Sequence, residues 1–172
     1  MADEATMTIK AVILPEEIQK TLKDLTFSYS LADATEGWYY KLTDITNSST
    51  DLISAETYLQ FGGTAQGEDA GTAMHTVATN DNVKFLFIKH LSTRDDGTTA
   101  NTADSIYLNF DDAAATNSGK DMFEIPAKQT WYCRVPSTLV GEVHVIAGQA
   151  NAAGTGSGNV QCTVCAIIDD VA

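Results

Sequence analysis

From Leu25 onward the chain is a succession of short apolar runs separated by turn-forming loops, and no other feature restricts its fold so sharply. "LTFSYSL", "WYYKLTDI", "TYLQFGG", "VKFLFIKHL", "SIYLNF", "MFEIPA", "TWYCRV", "EVHVIA" and "VQCTVCAII" each have the length and β-branched or aromatic content of a strand. "SIYLNF" alternates cleanly, with Ile106, Leu108 and Phe110 on one face. "VKFLFIKHL" is apolar on both faces, the pattern of a central strand covered on both sides. "ADATEG" reads as a hairpin loop between the first two runs. "STRDDGTTANTAD", "DDAAATNSGKD" and "GQANAAGTGSGN" are turn-rich connections, and "AAGTGSGN" within the last reads as a flexible hairpin loop. Many short strands joined in this way predict a mainly β protein, an antiparallel β-sandwich or barrel. At 172 residues the chain suits one domain with a real core.

The first 25 residues follow other rules. Met7, Ile9, Ala11 and Ile13 alternate as a short strand. "PEEIQKTLKDL" then carries a helix signature: Pro15 at the first helical position, Glu16 and Glu17 in the first turn, Lys20 and Lys23 in the last. Ile18, Leu22 and Leu25 share one face. A helix this short is unstable alone in water, so that face must pack on the domain or on a neighbouring subunit. The reading is an N-terminal arm over residues 1–25, holding a short strand and a short α-helix, and a β-domain over residues 26–172. Ile9, Ile13, Ile18 and Leu22 are the candidate interface residues of the arm.

Charge narrows the partners. The formal net charge of -13 repels nucleic acid and anionic membrane surfaces and favours solubility or a basic protein partner. "MADEATMTIK" lacks the basic and apolar regions of a signal peptide, and no apolar run approaches the roughly 18 residues of a membrane span. The expectation is a soluble protein made in the cytosol.

Chemistry is harder to find. Cys133, Cys162 and Cys165 are an odd count, which argues against a disulfide framework. Cys162 and Cys165 form a CxxC, but on a strand residues three apart face opposite ways. Cys162 then joins Val160 and Val164, Cys165 joins Ile167, and the pair is expected to pack rather than to chelate or exchange electrons. Asp95, Asp96 and Asp104 offer oxygen ligands for calcium, without the spacing of a helix-loop-helix calcium site. Asp96-Gly97 explains itself as a turn. His75, His90 and His144 are scattered, and Glu36, Glu56, Glu124 and Glu142 are dispersed, so no catalytic residue, cofactor or metal is assigned. "AAGTGSGN" lacks the lysine of a phosphate-binding loop. The adjoining aromatics Trp38, Tyr39 and Tyr40, and Trp131 and Tyr132, are expected to be core or subunit contact. Trp38 and Trp131 are retained as candidate glycan-stacking residues.

"TIKAVILPEEIQKTL", "WYYKLTDIT", "VKFLFIKHLSTRDDGTTANTADSIYLNFD", "FEIPAKQTWYCRVP", "VHVIAGQA" and "VQCTVCAIIDDVA" together resemble small structural proteins of tailed bacteriophages, particularly marine and cyanobacterial phages. The likeness covers most of the chain and lies in strand cadence and phrasing. It implies a β-sandwich or jelly-roll virion component whose N-terminal arm reaches a neighbouring subunit. The implied role is non-enzymatic capsid decoration, or cement: a homo-oligomer, typically a trimer, bound to the major capsid protein on the outside of the assembled head. The alternative implied role is a tail or fibre component with a receptor- or glycan-binding jelly roll.

Overall fold

In a computed structural model of the chain, residues 4–9, 25–30, 36–53, 60–61, 77–110, 122–156 and 158–169 are described. The strands, in chain order, are β1 (Glu4–Ile9), β2 (Leu25–Ser30), β3 (Glu36–Ile45), β4 (Thr50–Asp51), β5 (Gln60–Phe61), β6 (Asn82–His90), β7 (Asp104–Asn109), β8 (Phe123–Ile125), β9 (Thr130–Leu139), β10 (His144–Gln149), β11 (Ala152–Ala153) and β12 (Val160–Asp169). A single 3-10 turn, Val140–Glu142, separates β9 from β10. Every pairing among the described strands is antiparallel.

Two sheets face each other. One runs β5-β3-β12-β6-β9. The other runs β11-β10-β7-β8, with β4 pairing to β10 beside β11. Setting aside the two-residue β5 and β11, eight strands remain. Counted along the chain from β3, they stand in the orders 1-8-3-6 and 2-7-4-5. Successive strands thus alternate between layers at both ends of the chain path, which is the double Greek key of a jelly roll. The mainly β sandwich expected from the strand cadence is therefore the fold, and its strand order is that of the jelly roll.

The core lies between the layers and follows the two-residue period of each strand. From the first sheet come Tyr39 and Ile45, Val83, Leu86 and Ile88, and the row Val160, Cys162, Val164, Ala166 and Ile168 on β12. The second sheet supplies Ile106 and Leu108, Ile125, Val145 and Ala147. Phe110 and Trp131 pack against this cluster from the margin. β6 is a central strand, as its two apolar faces imply, held between β12 and β9. It carries a β-bulge at Lys84: the register to both neighbours shifts between Val83 and Phe85, and the Lys84 ammonium reaches Asp169 at 2.9 Å.

Adjacency in sequence misleads at two places. The runs flanking "ADATEG" do not form a hairpin. β2 pairs with β1, from Glu4–Ser30 to Ile9–Leu25, whereas β3 pairs with β12 along its whole length. β12 wins because its alternating apolar row completes the inner face beside β3. The β1–β2 pair also brings Leu25–Ser30 alongside the strand of the arm, described over Glu4–Ile9; Ala11 and Ile13, expected to continue it, lie outside the described residues. "GQANAAGTGSGN" is likewise not a simple hairpin loop. It opens with a tight turn between β10 and β11, then crosses from one sheet to the other to reach β12. Asn151 takes a positive φ of 59° in that turn, as Asn tolerates. The helix expected over Pro15–Leu25, with Ile18 and Leu22, and Ile13 before it fall on residues outside those described, except for Leu25, which opens β2.

Ile88 is wholly enclosed between the layers. Ile88→Ala is expected to destabilise the domain by about 2–5 kcal/mol through lost burial and the cavity left behind, read as a lower urea midpoint with an unchanged slope.

Candidate functional site

Alternation that fills the core also decides what the first sheet shows on its other face. Trp38, Tyr40, Leu42 and Asp44 of β3 point outward, as do Gln161, Thr163, Cys165 and Ile167 of β12 and Phe85, Phe87 and Lys89 of β6. In register they form cross-strand rows: Trp38–Ile167–Phe85, then Tyr40–Cys165–Phe87–Tyr132, then Leu42–Thr163–Lys89. The first row is closed, for Ile167 is fully buried. Further along the strands the face opens, with Tyr40 62% and Leu42 51% exposed. A sheet face with aromatic and aliphatic side chains at its open end and Lys89 beside them suits contact with a protein surface.

Trp38 and Trp131 are not brought together. Trp38 stands half-buried on the outer face of β3. Trp131 pairs with Ile88 on the inner side of β9, with β12 and β6 between the two strands. Trp131 instead belongs to a triangle of rings with Phe110 and Phe123, at centroid distances of 5.5 Å to Phe110, 5.6 Å to Phe123 and 5.9 Å between the phenylalanines. The triangle joins the margin of one sheet, at β9, to that of the other, at β8. Phe123 keeps 51% of its surface exposed. The other adjoining aromatics divide as alternation demands: Tyr39 is core, Tyr40 is surface. Of the arm residues, Ile9 closes the β1–β2 ladder opposite Leu25.

At the end of the sandwich where β6 leaves and β7 enters, polar groups are buried together. His90, Ser92, Asn101 and Asp104 are nearly or wholly enclosed, with His90 at 1% and Asp104 at 2% exposure. Ser92 N–H donates to His90 Nδ1 at 2.9 Å, so the ring proton sits on Nε2 and is donated to the Asp104 carbonyl at 3.0 Å. Burial holds His90 below the ordinary histidine range, against an opposing pull from the Asp104 backbone bond and charge. The Asn101 amide donates to Asp104 Oδ2 at 3.0 Å and to the Gly158 carbonyl at 3.1 Å, while its Oδ1 accepts Asp104 N–H at 3.3 Å. Gly156, at φ +81°, lies so close that a Cβ there would collide with Asp104 Oδ1. The sequence contained the histidine and the aspartate, but not their meeting.

The three aspartates weighed as calcium ligands have separate tasks. Asp104 belongs to the buried network. Asp96 accepts Thr98 N–H at 2.8 Å, Thr99 N–H at 2.6 Å and the Thr99 hydroxyl, bonds that draw its carboxyl down to about 2. The Asp95 carbonyl accepts from Gln161 Nε2 at 3.4 Å. Among the described residues no three His, Cys, Asp or Glu side chains converge as a metal cluster. Glu124 accepts the Ser105 hydroxyl at 2.8 Å, and Glu142 accepts Leu139 N–H at 2.8 Å. His144 Nδ1 meets Asp51 at 3.1 Å across β10 and β4. Among the described residues no helix is long and apolar enough to cross a membrane. No family model, curated protein or solved structure matches this chain.

The CxxC resolves on β12. Cys162 is core, Cys165 lies half-buried on the outer face, and all three cysteines are free thiols. Burial, helped by the nearby Asp44 charge, pushes the Cys162 thiol up to about 12, and burial raises Cys165 as well. With a thiol-reactive aromatic disulfide at neutral pH, the exposed Cys133 is expected to label in the native protein. Cys162 is expected to label only after unfolding, because the thiolate is the reactive form and neither water nor reagent reaches it. Mass mapping of the labelled cysteines checks both.

Proposed function

We propose that this protein is a non-enzymatic decoration, or cement, protein of a tailed-bacteriophage head, binding the major capsid protein and its own copies on the outside of the assembled shell. The observation that carries the reading is the jelly-roll strand order, in a chain whose phrasing resembles phage virion proteins across most of its length. Jelly rolls build viral shells, though the same architecture also serves lectins and cupins. A decoration protein acts through surfaces, and the open end of the outer sheet face, with Tyr40 and Leu42 exposed, supplies one. The net charge of -13 sets this protein against nucleic acid as a partner and leaves it soluble at the high copy number a shell requires. Trimers are the expected oligomer, by the same resemblance. A second reading, a tail or fibre module that binds glycans, draws on the ring triangle with its exposed Phe123, since an exposed ring face stacks on sugars.

Quantitative mass spectrometry of purified particles, scaled to the major capsid protein, separates these. Copy numbers in the hundreds are expected for a shell component. A few dozen or fewer would move the protein to the tail or fibres, and none would overturn both readings. Leu42→Lys is expected to change folding stability by no more than about 0.5 kcal/mol, as surface substitutions do. If the outer face meets the shell or a neighbouring copy, the same change weakens binding to undecorated heads at least about tenfold, through a buried charge without a partner. Unchanged binding would place the contact elsewhere.

A further inference from the structure

The network at the sandwich end joins parts of the chain that no strand pairing joins. His90 closes β6 in one sheet, and its Nε2–H reaches the carbonyl of Asp104, which opens β7 in the other. Between them runs an exposed hairpin. Thr93 bridges Ala100, Arg94 N–H donates to the Thr99 carbonyl at 2.9 Å, and residues from Arg94 to Ala100 are exposed. Its base is clamped from beneath. Ser92 donates its N–H to His90 Nδ1 and accepts Asn101 N–H at 2.8 Å on its carbonyl. Asn101 in turn grips Asp104 and the Gly158 carbonyl in the crossover before β12. Ser92 is held at φ 63°, a left-handed conformation that costs a non-glycine residue energy and persists only where its surroundings enforce it.

This geometry admits one protonation state of the ring. Nδ1 must accept and Nε2 must donate. A proton on Nδ1 sets two N–H groups against each other at 2.9 Å and leaves the Ser92 N–H without its acceptor in a closed site. Among the described residues, the titratable groups beside the ring are Asp104 from β7, whose charge acts on it, and the Cys162 thiol, paired with His90 in register on β12. On the β9 side the Gln129 carbonyl accepts the backbone N–H of His90 at 3.0 Å. Among the described residues Asp104 is the anion whose charge acts on the ring, and Asn101 already occupies its Oδ2.

We infer that His90 is an acid-sensitive latch: in its neutral form it locks the hairpin Thr93–Ala100 onto the end of the sandwich, and on protonation it frees the hairpin base while the two sheets stay paired. The latch gates how this exposed loop is presented to whatever it touches, independently of the function proposed above. The sign follows from burial. Folded His90 holds its proton less tightly than an unfolded histidine near 6.5. The stabilisation is therefore complete above that value and is lost as pH falls below it.

Amide hydrogen exchange of the full-length protein, corrected for intrinsic rates, tests this between about pH 7.5 and about pH 5. Opening that takes up one proton is expected to raise exchange at Ser92 and Asn101 about tenfold per pH unit below the transition, with Val164 and Ala166 on β12 unchanged. Ring nitrogen shifts should show His90 protonated on Nε2 alone at the upper end and on both nitrogens after the transition. His90→Gln keeps a donor for the Asp104 carbonyl and cannot titrate, so its exchange should be flat over the same range. Should that variant fail to fold, the ring shifts and exchange of the unaltered protein decide. Exchange at Ser92 and Asn101 that stays flat, or that rises only together with β12, overturns the latch, as does a ring carrying its proton on Nδ1.

Discussion

The structure depends on the insertion of β12 between β3 and β6. Without it the first sheet is two separate pieces, for among the described strands β3 has no other long partner and β6 pairs otherwise with β9 alone. The register runs from Val160 opposite Ile45 to Asp169 opposite Glu36 on one side, and from Cys162 opposite His90 to Asp169 opposite Asn82 on the other. One β12 face supplies Val160, Cys162, Val164, Ala166 and Ile168 to the interlayer core, so the same insertion pairs the backbone and closes the apolar interior. These contacts join the last described strand to one more than a hundred residues earlier. Ordering so long a loop is costly, and folding dominated by such pairings is slow.

Everything that bears on function is arranged around this strand. Its inner face makes the CxxC a packing feature, with Cys162 enclosed and Cys165 turned away. Its outer face aligns Ile167, Cys165 and Thr163 between the side chains of β3 and β6, producing a surface that is closed at Trp38 and open at Tyr40 and Leu42. Its beginning receives the crossover, where Gly158 and Asn159 are gripped by Asn101. The buried polar cluster therefore sits where strands of both sheets and two loops converge. There water is excluded, so the ring of His90, the amide of Asn101 and the Asp104 backbone pair with one another and with neighbouring carbonyls, while the buried Ser92 hydroxyl has no hydrogen-bond partner among the described residues.

The two ends of the polypeptide's chemistry differ in kind. The outer face is a property of area: apolar side chains left uncovered by the alternation that fills the core, suited to a partner surface rather than to a small molecule. The sandwich end is a property of geometry: a neutral ring, a carboxylate and an amide held at fixed distances, with Gly156 accepted where any side chain would strike Asp104. A contact function of the kind proposed would need both a rigid frame and defined projections. The hairpin above the network is such a projection, internally braced by Asp96 through Thr98 and Thr99.

What was determined by sequence alone is what a two-residue period encodes locally. Ile106 and Leu108 share a face, Cys162 and Cys165 do not, and "VKFLFIKHL" is central; all three are legible because side-chain direction along a strand depends only on parity. Loops announced themselves through Gly, Asn and Asp. Partners did not. That β3 pairs with β12 rather than with β2, that Trp38 and Trp131 lie on opposite faces of one sheet, and that His90 meets Asp104 were decided by the tertiary structure. The same holds for the grip of Asn101 on Gly158, across 57 residues of chain. Strand pairing and buried hydrogen bonds are selected by closure of the whole core, a condition that no local run of residues contains.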